Sequence, residues 1–131
     1  LLDIDYFKRV NDFHGHLLGD EILVQFSHLM QQEIRIADRC ARWGGEEFII
    51  LLPNTTLSGA IKLADKLQDI FKDHSFPSGI QLTASFGIAE YRPDEEIKHL
   101  LSRLDQALYD AKEQGRDCIV IADSESRGGI Q

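Results

Sequence analysis

The sequence predicts an α+β domain: a central, mostly antiparallel five-stranded sheet flanked by helices, in the order β-α-α-β-β-α-β-α-β. Three observations predict it. Apolar residues recur at helical spacing over three long stretches, and short strand-like runs separate them. Two strand-length runs, 38–43 and 47–52, are divided only by Gly44-Gly45-Glu46, a hairpin signature. With 131 residues the chain is long enough to bury one core without disulfides or a structural metal.

Each element has its own reason. Residues 1–4 read as a short buried strand, and 5–13 as a short helix ending at His14-Gly15-His16. Across 17–34, Leu18, Ile22, Leu23, Phe26, Leu29, Met30 and Ile34 form a helical stripe. After the hairpin, Pro53-Asn54-Thr55-Thr56 stops the strand and offers an N-cap. The helix that follows carries Ala60, Leu63, Ala64, Leu67, Ile70 and Phe71 on one face. Pro77-Ser78-Gly79 is a turn, and 80–91 reads as a long strand. Residues 96–112 repeat the helical pattern through Ile97, Leu100, Leu101, Leu104, Ala107, Leu108 and Ala111, with Gly115 placed to end the helix. A final strand is expected at 118–122, so the domain spans 1–122 and the polar tail 123–131 is expected to be disordered.

An apolar fraction of 43% and a charged fraction of 27% are ordinary for a globular protein. The net charge of −8 argues against DNA, RNA or an anionic membrane surface as partners. No apolar run reaches a membrane span, and no signal peptide opens the chain. Cys40 and Cys118 lie in apolar, strand-like surroundings without metal spacing, so buried, reduced thiols and a cytoplasmic compartment are expected. The chain opens on Leu-Leu-Asp-Ile-Asp with no initiator Met, as expected of a fragment of a longer protein.

The chemistry gathers around acids. Asp3 and Asp5 are two apart, which on a strand puts both on one face, although Asp5 also stands where a helix N-cap belongs. An acid in an apolar strand is costly unless a partner compensates it. Beside the hairpin's Glu46 and Glu47, three or four carboxylates would converge, and an all-oxygen set suits Mg²⁺ or Mn²⁺. The competing reading is a solvated turn with ordinary surface glutamates.

Such a metal completes its shell with phosphate oxygens, for which Lys8, Lys112 and Arg116 are candidate cations. Lys112 could equally serve the helix dipole. Asn11 and Asp20 can bond the guanine edge or cap helices, and spacing alone favours caps. His14 and His16 lack a third ligand nearby and read as structural. Residues 15–19 lack the Gly-Lys-Ser/Thr ending of a P-loop. Arg35 and Asp38 make either an intra-loop ion pair or a guanine-reading pair.

Several stretches together resemble the GGDEF domain of diguanylate cyclases, in its Gly-Gly-Glu-Glu-Phe form. L-L-D-I-D-Y-F-K-R-V-N-D-F-H-G-H-L-L-G-D-E-I-L (1–23) follows the family's D-x-D-x-F-K-x-x-N-D-x-x-G-H-x-x-G-D pattern. R-W-G-G-E-E-F (42–48), T-A-S-F-G-I-A (83–89) and L-D-Q-A-L-Y-D-A-K-E-Q-G-R (104–116) follow in order. The resemblance implies a fold like the nucleotide cyclase and polymerase palm. It also implies metal-dependent condensation of two GTP into cyclic di-GMP with release of two pyrophosphates, each domain of a homodimer binding one GTP.

By position, Asp3, the Ile4 carbonyl and Glu46 match the metal ligands, Mg²⁺ or Mn²⁺ being the cofactor. Glu47 matches the second signature acid, which helps hold metal or assists deprotonation of the ribose 3′-hydroxyl. Asn11 and Asp20 match the guanine readers, and Lys8, Lys112 and Arg116 the phosphate contacts. The hairpin glycines would let backbone approach the nucleotide. Arg35 and Asp38 match an R-x-x-D product-inhibition site, and Lys66 stands near the place of a second arginine, implying weaker inhibition.

The family's preceding helix, with its D-x-L-T-x-L-x-N-R element, is not in this sequence; a less stable or inactive chain, and membrane attachment only through an upstream region, are the expectations. Tyr6 replaces the commoner Phe, and Asp117 a common Asn. The alternative from another class is a non-catalytic receptor for GTP or cyclic di-GMP, which usually goes with a damaged signature.

Overall fold

The computed structural model describes residues 1–122; the tail expected to be disordered, 123–131, lies outside the described residues. Element order follows the expectation: β1 (Leu2–Ile4), α1 (Phe7–His14), α2 (His16–Glu33), β2 (Arg39–Gly44), β3 (Glu47–Leu51), α3 (Leu57–Asp73), β4 (Ala84–Ile88), α4 (Ile97–Glu113) and β5 (Ile119–Ile121), with a 3₁₀ turn at Pro77–Gly79. The strands order β2-β3-β1-β4-β5; all neighbours are antiparallel except β4 and β5. No helix among the described residues is long and apolar enough to cross a membrane.

Alternation along β1 sorts the two faces. Leu2 and Ile4 enter the main core with Ile22, Phe26, Leu67 and Phe71, so α2 and α3 cover that face. Phe26 anchors it, with ring centroids 4.4 Å from Phe71 and 4.8 Å from Phe76. Leu1 packs on the opposite face with Leu104 and Leu108 of α4. Gly87 lets that helix lie close, because a Cβ there would stand 2.7 Å from the Leu108 nitrogen and 3.0 Å from the Leu104 carbonyl oxygen. Thr56 caps α3 as expected, its Oγ1 accepting from the Gly59 N–H at 3.1 Å.

Two expectations need correction. The long strand at 80–91 shrinks to Ala84–Ile88, because its ladder partners, β1 and β5, have three residues each. The cysteines are free but half-buried rather than buried. Cys40 sits on edge strand β2 and Cys118 just before the other edge strand, where one flank stays open.

Candidate active site

The end of β1 meets three elements. In the ladders, Asp3 lies opposite Glu47 of β3 on one side and Ser85 of β4 on the other. The Ile4 N–H donates to the Glu46 carbonyl oxygen at 3.3 Å, clasping the hairpin tip to the strand. Only Gly45 and Glu46 form that tip, and Gly45 takes φ 45, a backbone that glycine adopts without steric cost. Arg42 stiffens it by donating from Nε to the Gly45 carbonyl at 2.7 Å.

Asp3 is 3% exposed, and Lys112 Nζ donates to its Oδ2 at 2.6 Å. The helix explains the contact. Leu104, Leu108 and Lys112 follow at four-residue steps along α4, while Leu1 and Asp3 share a face of β1. Leucine meets leucine, and one turn later lysine meets aspartate. Lys112 therefore serves Asp3, and it does so from the last turn of α4, where its charge also complements the helix dipole. Burial pushes the Asp3 carboxyl up to about 6 despite Lys112; the nearby charges of Glu46 and Glu47 push the same way.

The expected convergence of three or four carboxylates is only partly built. Among the described residues, no three His, Cys, Asp or Glu side chains form a ready-made metal cage. Asp5 has left the set and is no N-cap; Tyr6 holds that position without a side-chain cap bond. Both Asp5 oxygens are spent elsewhere: Ser85 Oγ donates to Oδ1 at 2.6 Å, and Thr83 Oγ1 and the Asp117 N–H donate to Oδ2 at 2.6 and 3.0 Å. What remains fits a divalent cation all the same. Asp3 is a buried carboxylate whose ionised form suffers first from desolvation, Glu46 and Glu47 lie near enough for their charges to act on it, and the ligand atoms these acids offer are oxygens.

Asn11 and Asp20 are not caps either. Gly15 holds the α2 N-cap position, and neither α1 nor α2 has a side-chain cap bond. Asn11 instead lies over Gly19, the residue before Asp20: a Cβ on Gly19 would stand 1.9 Å from Asn11 Oδ1. That oxygen is buried and without a protein partner, while Asp20 is exposed. A buried acceptor lacking a donor is costly unless a ligand supplies one. His14 and His16 are exposed, without a structural burial.

Among the phosphate candidates, Lys8 is exposed on α1. Arg116 follows Gly115 in a Schellman turn, with Arg116 N–H to Ala111 O at 3.0 Å and Gly115 N–H to Lys112 O at 3.3 Å. Its guanidinium carbon lies 4.8 Å from the Tyr6 ring centroid.

Arg35 and Asp38 do form an ion pair, Nε to Oδ2 at 3.4 Å, and the buried Asp38 also accepts the Arg35 N–H at Oδ2, 2.8 Å away. Arg35 reaches on to Thr55 Oγ1 and to the Pro53 carbonyl, the latter at 3.4 Å. Lys66 pairs with Glu33 at 2.8 Å.

Sequence reasoning missed two networks. One is the Asp5 latch; the acid was visible, but its hydroxyl partners lie 78 and 80 residues away. The other is a bidentate pair in which Arg103 Nε and Nη2 donate to Glu95 at 2.6 and 2.7 Å. It holds the Glu95 carboxyl down to about 2, with help from the Arg92 N–H and His99. An eight-residue separation is no sequence signal for a salt bridge.

A cavity of about 790 Å³ lies between α3, α4 and strand ends, lined by apolar residues such as Leu57, Leu63, Ile97 and Leu101.

The family model for "Diguanylate cyclase, GGDEF domain" matches residues 1–118. Diguanylate cyclase DgcM of Escherichia coli K12 is 39% identical over 122 residues, covering 93% of this chain and 30% of that protein. The chain thus spans between about a fifth and a third of the length of the curated relatives it matches. Among solved structures, the active GGEEF domain of a Vibrio cholerae diguanylate cyclase superposes with TM-score 0.86 at 39% identity, over 93% of this chain and 80% of that one. The GGDEF domain of Caulobacter crescentus DgcB, solved in complex with c-di-GMP, gives 0.87 at 29% identity, over 92% and 74%. A family model covering nearly all of the described chain, with the signature hairpin clasped to the Asp3 strand, establishes that this chain belongs to the diguanylate cyclase GGDEF-domain family.

Proposed function

We propose that two copies of this domain, each holding one GTP, face each other in the cytoplasm and condense their substrates into cyclic di-GMP. Each 3′-hydroxyl oxygen attacks the α-phosphorus of the opposite GTP. One P–O bond forms, the bond to pyrophosphate breaks, and the hydroxyl proton passes to a carboxylate, a role we assign to Glu47, the second signature acid. Two such steps release two pyrophosphates.

The observation that carries this reading is the buried Asp3 carboxylate. It stands opposite Glu47, beside the clasped Glu46 and on Lys112, and burial disfavours its ionised form despite that lysine. Asp3, the Ile4 carbonyl and Glu46 would hold Mg²⁺ or Mn²⁺. Such a cation supplies charge neutralisation on the triphosphate and a lowered pKa for the attacking hydroxyl. Lys112, Lys8 and Arg116 bind phosphate oxygens, and Lys112 passes between Asp3 and the phosphates. The unpartnered Asn11 oxygen accepts from guanine N–H groups, and Asp20 accepts from the same edge.

Arg35 and Asp38 bind the product as an inhibitor, the Arg35 fork leaving Thr55 and Pro53 to do so. DgcB, a relative, was solved with c-di-GMP bound.

The test incubates the domain, extended at its N-terminus by a helix of the family's D-x-L-T-x-L-x-N-R type, with GTP and Mg²⁺ or Mn²⁺ at high protein concentration. Products are separated by chromatography. Cyclic di-GMP is the expected product. Its absence overturns the cyclase reading, and nucleotide binding without turnover then assigns the domain as a receptor.

A further inference from the structure

Tyr6 stands between β1 and α1 in left-handed backbone, φ 59, and is 48% exposed. Two guanidiniums share its ring. The Cζ of Arg9 lies 4.3 Å from the centroid and that of Arg116 4.8 Å, both within cation–π range. One comes from the first helix and the other from the turn after the last. Among the described residues, neither pairs with a carboxylate. Like charges repel, so gathering two on one ring without a counter-anion costs energy that the ring only partly offsets. An anion with several oxygens would relieve it.

The backbone shows that Arg116 is held there deliberately. Gly115, Arg116 and Asp117 take φ 110, 65 and 49, three left-handed residues in a row. Non-glycine residues persist in that conformation only where the surroundings over-determine them. Here they do. Asp5 accepts the Asp117 N–H at 3.0 Å, Gln68 Nε2 donates to the Asp117 carbonyl and carboxylate at 2.7 and 3.0 Å, and Lys72 pairs with that carboxylate at 3.0 Å. Lys112, one helical turn earlier, is the amine on Asp3. The ring and both guanidiniums are therefore tied to the same strand end as the buried acid.

We propose that Tyr6 is a positioning residue whose ring holds Arg9 and Arg116 together as a clamp on the outer phosphates of the nucleotide, with Arg9 a phosphate contact outside the family's motif positions. This rests on the reading of Arg116 as a phosphate contact. A terminal phosphate presents three oxygens and about two negative charges, which matches two guanidinium forks. The clamp thus distinguishes nucleoside triphosphate from monophosphate and leaves the base alone.

The experiment measures binding of 3′-deoxy-GTP, which lacks the reacting hydroxyl, and of GMP by calorimetry in Mg²⁺. The proteins are wild type, Tyr6→Phe, Tyr6→Leu and Arg9→Gln. Leucine is not β-branched, so the left-handed backbone costs it about what it costs tyrosine. Tyr6→Leu is expected to lose about two- to five-fold in 3′-deoxy-GTP affinity, the range of an exposed cation–π contact, with GMP affinity unchanged. Tyr6→Phe keeps the ring and restores wild-type affinity. Arg9→Gln weakens 3′-deoxy-GTP selectively, and in turnover raises KM for GTP while sparing kcat.

Equal loss of GMP and 3′-deoxy-GTP binding in Tyr6→Leu, or failure of Tyr6→Phe to restore affinity, overturns the proposal. So does Arg9→Gln binding 3′-deoxy-GTP like wild type, and this exposed helical position decides the matter if Tyr6→Leu does not fold. A wild-type protein that binds no 3′-deoxy-GTP overturns the cyclase reading itself, whereas normal wild-type binding with unaltered variants overturns only the clamp.

Discussion

Asp3→Asn isolates what the candidate metal site costs the fold. In the folded chain the Asp3 carboxyl sits at about 6 against an ordinary 3.8, raised first by burial and then by Glu46 and Glu47. Because the folded value is the higher one, the stabilisation from a protonated Asp3 is fully present below pH 3.8. It is lost as pH rises through about 6. Above that, the ionised form is a liability of up to about 3 kcal/mol at roughly 1.4 kcal/mol per unit, and 1–3 kcal/mol after allowing for solvent screening and relaxation.

Asparagine keeps the shape and removes the charge, while Lys112, 29% exposed, can turn toward water. In metal-free buffer at pH 7.5 the variant should therefore melt higher by several degrees, at about 3–5 °C per kcal/mol for a chain of this size. The advantage should vanish toward pH 4. Thermal melts followed by circular dichroism between pH 4 and 8, with and without Mg²⁺, measure this. Mg²⁺ should raise the wild-type midpoint and leave the variant's unchanged, with the wild-type effect fading as pH falls through about 6. A lower melting temperature for Asp3→Asn at pH 7.5 would refute the reasoning, since it would make the Lys112 ion pair worth more than burial costs.

Further expectations concern the rest of the molecule. Glu46→Ala should reduce cyclic di-GMP formation by about 100-fold or more through loss of a metal ligand; retained turnover removes Glu46 from the site. Asp20→Ala should cut the preference for GTP over ATP in competition assays, and unchanged selectivity contradicts its guanine role. Gly87→Ala should cost about 1–3 kcal/mol in urea unfolding, because the new methyl meets α4 backbone rather than a movable side chain. An unchanged midpoint there would mean that the helix shifts freely on the sheet. Arg35→Ala should relieve product inhibition, whereas an unaltered inhibition curve leaves the Arg35–Asp38 pair a purely structural turn clamp.

Local pattern carried much of this. The helical stripes, the hairpin around Gly44-Gly45, the Thr56 cap and Gly115 as a helix terminator all depend on residues within a few positions of each other, and all appear where expected. The strand at 80–91 was overextended because apolar alternation says nothing about the length of the neighbours it must pair with. Asn11, Asp5 and Asp20 looked like caps for the same reason: short polar residues near helix ends are caps by local statistics, and only packing shows what they touch.

The sequence by itself determined the order of elements, the family signature and which acids and cations are candidates for the site. Tertiary structure alone decided their partnerships. Lys112 reaches Asp3 across 109 residues because Gly87 lets α4 lie flat on the sheet and the leucines before it set the helix's rotation. Asp5 is spent on β4 and the last turn, and Tyr6 gathers arginines from the two ends of the chain. Spacing along a chain specifies which face a residue takes within its own element. Which element that face meets is settled by packing, and the chemistry of this site resides in those meetings.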